Sequence, residues 1–267
     1  MNLTESIRQW INIASGKQKM NYGTKVQLLT LVNHLVLAIG IYYTASWNWL
    51  FLGVVMYIFV GLFSANISMH RYISHKSFQT GPLREKFLKY VSILSCFGSP
   101  ISWSALHRHH HEHSDTKKDI QNPKEIGAVK SWSSLYPNTN ISPNLIGDLL
   151  RDRDIKFIHN NYFKIITFIY IILFLINPML LIWTFVFPAV LSFHHAAAIG
   201  VIPHYSWAGY KVADSKDDSV NSPLASLLSL GEGWHNYHHY KPTDYRHGHK
   251  WWEIDQSAWI IEKFLRI

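Results

Sequence analysis

Two long stretches of this chain carry no formal charge. Between Val26 and Met69, and again between Ile165 and Tyr210, there is no Asp, Glu, Lys or Arg. Each is about twice the ~20 apolar residues that take a helix across the hydrocarbon core of a bilayer. Thr44-Ala-Ser-Trp-Asn48 divides the first stretch, and the helix-breaking pair Asn177-Pro178 divides the second. The pattern predicts helices near 26–44, 49–69, 163–176 and 178–199, hence two helical hairpins and four crossings. The third of these helices is short for a span.

The charge distribution orients the hairpins. Both predicted turns lack Lys and Arg, whereas Arg8, Lys17, Lys19 and Lys25 precede the first crossing and the other basic residues fall in 70–164 and 211–267. The positive-inside rule then places both termini and the middle segment in the cytoplasm. A bacterial inner membrane is the favoured setting and the endoplasmic reticulum the alternative. The net charge of +8 follows from this topology. A nucleic-acid binder would not carry its charge around two uncharged hairpins, so that class is excluded, whereas contact with membrane lipid is expected. No cleavable signal pattern opens the chain; residues 1–25 read as an interfacial helix with Ile7, Trp10, Ile11 and Ile13 partly on one face.

The expected organisation is a single all-α integral membrane domain over 1–267. It comprises an N-terminal interfacial segment (1–25), a first hairpin (26–69), a cytoplasmic cap (70–162), a second hairpin (163–199) and a further cap segment (200–267). In the last of these, Trp251, Trp252, Trp259, Ile260, Ile261 and Phe264 predict an apolar helical face used for packing. Cys96 is the only cysteine, so no disulfide forms within the chain, and it reads as a buried small hydrophobe.

Three histidine clusters lie beside the apolar stretches: His70-Arg-Tyr-Ile-Ser-His75, His107-Arg-His-His110-His111 and His235-Asn-Tyr-His238-His239. Neutral imidazole is the commonest metal ligand. Positions i, i+3 and i+4 share one face of a helix, so His107, His110 and His111 are expected to point at a common centre, as are His235, His238 and His239. His109 and His113 point elsewhere. His70 and His75, five apart, diverge on an ideal helix, which places one of them where the second crossing ends. Eight or nine nitrogen ligands exceed the capacity of one metal, so two are implied, and an all-nitrogen pair beside buried hydrocarbon suggests iron acting on oxygen.

If the clusters meet at one site they lie on one side of the membrane. The moderately apolar stretch Phe87 to Leu106, interrupted by Gly98-Ser99-Pro100, then cannot cross; it lies on or dips into the membrane and returns. Candidates for hydrogen bonds to ligand imidazoles are Asp115, Glu232, Asn236 and Asp218, with Glu112, Asp119 and Asp217 also near in sequence. His34 reads as a satisfied packing residue, and His159, His247 and His249 as solvated or as neighbours of ligands.

The segments His70-Arg-Tyr-Ile-Ser-His-Lys-Ser-Phe78, His107-Arg-His-His-His-Glu-His-Ser-Asp-Thr116 and Gly231-Glu-Gly-Trp-His-Asn-Tyr-His-His239 resemble the three histidine boxes of the membrane fatty acid desaturases. The nearest likeness is to the acyl-CoA Δ9 branch, the stearoyl-CoA type and its bacterial relatives, and it spans about residues 26–265. The resemblance implies four transmembrane helices, a cytoplasmic cap and a kinked acyl tunnel. It makes His70, His75, His107, His110, His111, His235, His238 and His239 ligands of two Fe ions. A ninth histidine after the fourth helix is best matched by His204, with Gly209-Tyr210 following; His194 or His195 is the competing choice. Two departures stand out. Gly200 occupies the place of the family's Asn four residues before that histidine, and Ala105-Leu106 replaces the Arg-Asp pair of the animal acyl-CoA enzymes.

The implied activity is O2-dependent insertion of a cis double bond, at Δ9, into a long saturated acyl chain. The implied partners are fatty acyl-CoA, or else an acyl lipid, and an external electron carrier: a cytochrome b5-like protein, or a ferredoxin with its reductase. Trp103, with Phe59 and Phe63, is a candidate for the tunnel wall. A membrane di-iron hydroxylase would use the same ligands. A metal transporter would need ionisable groups along its crossings, where the helices offer little beyond His34, Asn33 and Asn66.

Overall fold

The computed structural model describes residues 20–137 and 141–267. The interfacial helix expected at the N-terminus lies almost wholly outside them. Among the described residues the chain is helical, with isolated bridges and no strands.

Four helices are long and apolar enough to cross a membrane: α1 (Tyr22–Thr44), α2 (Trp47–Ser74), α7 (Arg153–Ile176) and α8 (Pro178–His204). Between and after them lie α3 (Pro82–Val91), α4 (Pro100–His113), α5 (Pro123–Ile126), α6 (Ala128–Trp132), α9 (Pro223–Leu228), α10 (His235–Tyr240) and α11 (Gln256–Ile260, continued by a π turn Ile261–Leu265). Their starts follow local chemistry. Asn21, Ser46, Ser99, Asp152 and Asn177 each accept a backbone N–H of the first turn through the side chain, and Pro100 and Pro178 occupy first-turn positions where no N–H is needed.

Both breaks fall where the sequence placed them, at Ala45-Ser46 and Asn177. The helix lengths differ. The third crossing starts at Arg153 because Asp152 caps it there; at 1.5 Å per residue its 24 residues reach ~36 Å, so it is not short. The second and fourth crossings continue to Ser74 and His204 and thereby carry His70 and His204 inside their last turns. The stretch 87–106 reverses at Cys96 (φ 59°) and Gly98 (φ 119°) between α3 and α4, and neither helix is long enough to span.

The bundle is apolar outside and polar where it meets the cap. Leu35, Ile39, Phe51, Phe168 and Leu175 are exposed on three of the four long helices, the distribution expected where lipid replaces water. Inside, Leu37, Ile158, Tyr162, Ile166, Trp183 and Phe187 form the main core. Gly40 permits the close approach of α1 and α8, since a Cβ there would sit 2.6 Å from Ile182. The C-terminal aromatic face is different from the expectation. Ile261 is buried, but Trp251 (95% exposed), Trp259 and Phe264 face outward with Ile254, and Trp251 and Trp252 precede the helix. Outward Trp residues on a membrane protein suit an interfacial belt better than a core.

Candidate metal centre

The cytoplasmic-facing ends predicted for the hairpins, together with α4 and α10, bring nine histidines into two groups. His70, His75, His107, His111 and His238 form the first, and His110, His204, His235 and His239 the second; within each, the potential ligand atoms lie within 4.8 Å of one another. Rings of the two groups touch, with His111 and His239 centroids 4.3 Å apart.

Local backbone explains the first group. From Val60 to Ser74, α2 runs as a π-helix, and the His75 N–H donates to the His70 carbonyl (3.1 Å), an i→i+5 bond. That wider register brings together two residues that an α-helix would splay, and their ring centroids are 4.9 Å apart. The boxed triplets, in contrast, do not each serve one centre. His107 and His111 enter the first group and His110 the second; His238 enters the first and His235 and His239 the second. Each short helix therefore straddles both groups: its i, i+4 pair serves one, and its i+3 residue, about 100° around the axis from i+4, turns to the other.

The approach of α10 needs two glycines. Gly231 has φ of 97°, a left-handed conformation that side chains disfavour. A Cβ on Gly233 would lie 2.0 Å from the Ser226 amide nitrogen.

The electrostatics turn on which ring nitrogen holds a proton. Glu232 accepts from His70 Nδ1 (2.6 Å), Asp119 from His110 Nδ1 (2.9 Å), Asp115 from His204 Nδ1 (3.1 Å) and Asp217 from His239 Nδ1. An ionised carboxylate only accepts, so each of these Nδ1 atoms carries the hydrogen and each Nε2 presents a lone pair. In the first group the Nε2 atoms face one another: His75 and His107 Nε2 are 2.7 Å apart, His70 and His238 3.0 Å, and His111 lies 3.1 Å from His107 and 3.0 Å from His238. In the second, the buried Nε2 atoms of His204, His235 and His239 have no hydrogen-bond partner. Buried polar atoms are normally paired. Converging imidazole nitrogens, with Nε2 left proton-free at His70, His110, His204 and His239, are the donor set of a transition-metal site, and the residues fit one.

Burial disfavours the charged form of six of these imidazoles. Desolvation first, then the surrounding rings, pushes His75, His107, His111, His235 and His238 well below the usual histidine value. For His239 the result is about 4, despite the opposing pull of Asp217. The carboxylates move the other way. Burial would raise Asp115, but His204 and Lys124 hold it at about 2. Asp119 and Asp217 are likewise held low against burial by His110 and His239, and Glu232 by Arg71, His247 and His70.

Of the sequence candidates beside the ligands, Asp115 and Glu232 contact imidazoles, as do Asp119 and Asp217. Asn236 does not: its side chain accepts from the amides of Val212 and Ala213 and donates to Ser215, so it holds a loop. The Asp218 carboxylate binds Lys124 and only its backbone N–H reaches Asp115. Glu112 is exposed, 3.8 Å from His113. Trp103 stacks on His107 with centroids 4.6 Å apart and an interplanar angle of 16°.

The remaining histidines separate cleanly. His194 meets Trp132 and His34, and His195 meets Asn66 and Tyr57, so neither stands in a group. His159 bonds Ser99 and His249 packs on Tyr237. Gly200 faces open space. His247 is not solvated; it is 1% exposed, 3.4 Å from Glu232, with its ring 4.4 Å from that of His238.

Sequence reasoning missed one arrangement. Arg71 is fully buried between Glu232 (2.5 Å) and Asp255 (2.9 Å), tying the first box to the third and to the C-terminal segment. Its position between two clustered histidines was the available signal, but only the fold shows its partners.

These features define a multi-pass membrane protein with two adjoining polyhistidine sites. The family model described as fatty acid desaturase matches residues 46–266. The chain is 31% identical over 232 residues to the sn-1 stearoyl-lipid 9-desaturase of Anabaena variabilis, covering 84% of this chain and 83% of that protein. It is 32% identical over 233 residues to the sn-1 stearoyl-lipid 9-desaturase of Synechocystis, covering 83% and 70%. Acyl-CoA 5-desaturase AL21 of Anemone leveillei is 28% identical over 249 residues, covering 88% and 77%. The chain belongs to the fatty acid desaturase family and is an oxidoreductase acting on fatty acids.

Proposed function

We propose that the protein inserts a cis double bond at the 9 position of a long saturated acyl chain, using two iron ions. The observation that carries this reading is the pair of adjoining groups of converging imidazole nitrogens in a family of desaturases. Nine imidazoles exceed the coordination of a single ion and suit two. Iron held by His70, His75, His107, His111 and His238, and by His110, His204, His235 and His239, would supply the O2-dependent oxidising power that unactivated methylene hydrogens require. The balance is one –CH2–CH2– unit, O2, two electrons and two protons giving –CH=CH– and two waters.

The protein's own contribution is position and dryness. Four carboxylates hold Nδ1 hydrogens and so aim Nε2 inward, which also raises ligand basicity. A methylene has no polar handle, so the site of reaction is set by the length of apolar wall between the headgroup anchor and the metals. Trp103, lying flat on His107, is the proposed wall residue beside the reacting carbons.

For the acyl carrier, a membrane glycerolipid is favoured: the cyanobacterial relatives named above carry lipid-linked names, and Ala105-Leu106 offers no charge to coenzyme A. The acyl-CoA reading keeps the support of the plant relative's name. The electrons come from a separate carrier, cytochrome b5-like or a ferredoxin with its reductase, and the termini and metal groups face the cytoplasm. Expression in a host lacking unsaturated-lipid synthesis tests the activity, with double bonds located by mass spectrometry. Purified protein supplied separately with stearoyl-CoA and stearoyl-glycerolipid, carrier and reductase identifies the acyl carrier. A hydroxylated product, or no new double bond at 9, overturns the reading.

A further inference from the structure

The helix that carries three of the nine inward histidines has a second metal-ligating face. On α4, His109, Glu112 and His113 point away from both groups, and their potential ligand atoms lie within 4.8 Å of one another. His109 and His113 are four apart, one turn along the helix, with ring centroids 4.6 Å apart; Glu112 Oε2 is 3.8 Å from His113 Nε2. Two imidazoles spaced i, i+4 and one carboxylate form a three-donor set on a single rigid element, with solvent free to complete a tetrahedron.

We propose that this face binds one exchangeable divalent cation of the zinc type, separate from the two interior centres. The donor set is selective by chemistry. Two nitrogens and one oxygen suit Zn2+, Co2+ or Ni2+ and not Mg2+ or Ca2+, which take oxygen ligands. Exposure of the Glu112 side chain (54%) and partial exposure of His113 (26%) give access without opening the fold. Two features oppose binding and set its strength. His109 Nε2 lies 3.1 Å from the Lys118 carbonyl, so the ion takes Nδ1 or displaces that contact, and the segment that follows the helix carries two positive charges, Lys117 and Lys118. The site is therefore weaker and faster-exchanging than the buried groups. Its physical consequence is a clamp on the last turn of α4, the turn that holds His110 and His111.

The test uses the metal-loaded full-length protein in detergent, dialysed against ZnCl2 and then assayed for metals by mass spectrometry, with CoCl2 as an optical probe. The wild type is expected to take up about one Zn2+ beyond its tightly held metal, and to lose it to brief mild chelation. It should also show visible Co2+ bands and a rise in melting temperature with Zn2+. The double variant His109→Ala/His113→Ala is expected to lose the extra ion, the Co2+ bands and the Zn2+-dependent rise, with tightly held metal unchanged; Glu112→Gln should reduce Zn2+ retention. Absence of an extra ion in the wild type, its persistence in the double variant, or a fall in tightly held metal in that variant overturns the proposal. Tightly held metal is counted in the same sample, so a failure of the interior reading is seen separately.

Discussion

The two histidine groups are neighbours built from the same short helices, yet their surroundings differ. In the second, three of four imidazoles rest on carboxylates: His110 on Asp119, His204 on Asp115 and His239 on Asp217. In the first, only His70 of the five rests on one among the described residues, and that carboxylate, Glu232, is shared with Arg71 and His247. The first group therefore concentrates imidazoles around one negative charge that is largely neutralised by a buried guanidinium. The second spreads three negative charges around fewer imidazoles. Two ions bound here would experience unequal fields, and the pair would be chemically asymmetric before any substrate arrives.

The comparison breaks most completely through the ligands. His238→Ala removes a nitrogen from the first group and His239→Ala one from the second. Each variant is expected to abolish desaturation, with metal content per protein falling from about two to about one if the groups load independently. Metal analysis beside product analysis checks this, and an active variant sinks the corresponding ligand assignment.

Next comes the one carboxylate of the first group. Glu232→Gln is expected to cost 10–100-fold in activity or metal retention, on the order usual for such partners. It also leaves Arg71 with Asp255 as its one remaining carboxylate, beside the Tyr245 carbonyl, so stability should fall by about 3 kcal/mol, the lower end for breaking a buried pair. Asp217→Asn, with two carboxylates left in its group, should cost less. Equal losses in both variants would remove the asymmetry argued above.

His247 sharpens the comparison at smaller amplitude. His247→Phe keeps the ring's bulk against His238 and removes the nitrogen facing Glu232. A loss of about tenfold in turnover is expected, toward the lower end for residues behind a ligand, with the spectroscopic signature of one ion altered and the other unchanged. A variant whose two signatures both stay at wild type assigns His247 to packing alone.

The smallest effect concerns pH. Burial tends to raise the Asp148 carboxyl, but hydrogen bonds and charge from Arg108 and Lys76 hold it well below the ordinary value of 3.8. A depressed folded-state value means its stabilisation is complete above that ordinary value and is lost as pH falls through the folded one. Asp148→Asn should therefore lower stability near neutrality and flatten only the acid limb, below about pH 4, in thermal unfolding followed against pH. Arg108 also donates to the carbonyls of Ile73, Ser74 and Leu145, so the link it makes between α2 and α4 survives in part.

Much of the architecture was legible along the chain because the bilayer imposes a length and a polarity that sequence displays directly. Two uncharged stretches and their breaks determined four long helices, Asn177-Pro178 marked a helix start that the structure repeats, and the interruption at Gly98-Ser99-Pro100 falls where the chain reverses between α3 and α4. The three boxes likewise declared a polyhistidine site in the fatty acid desaturase family. Helical periodicity failed where the helix was not α: the π register of Val60–Ser74 brings His70 and His75 together. Periodicity also could not say that His110 parts from His107 and His111, or His238 from His235 and His239, because a shared helix face is broader than a coordination sphere. The carboxylate partners are 162 residues away for His70 and 89 for His204, and nothing local couples such positions. Residue types and spacing are properties of the chain, whereas which nitrogen faces which neighbour is decided by distant segments closing on one another, and that closure exists only in the folded protein.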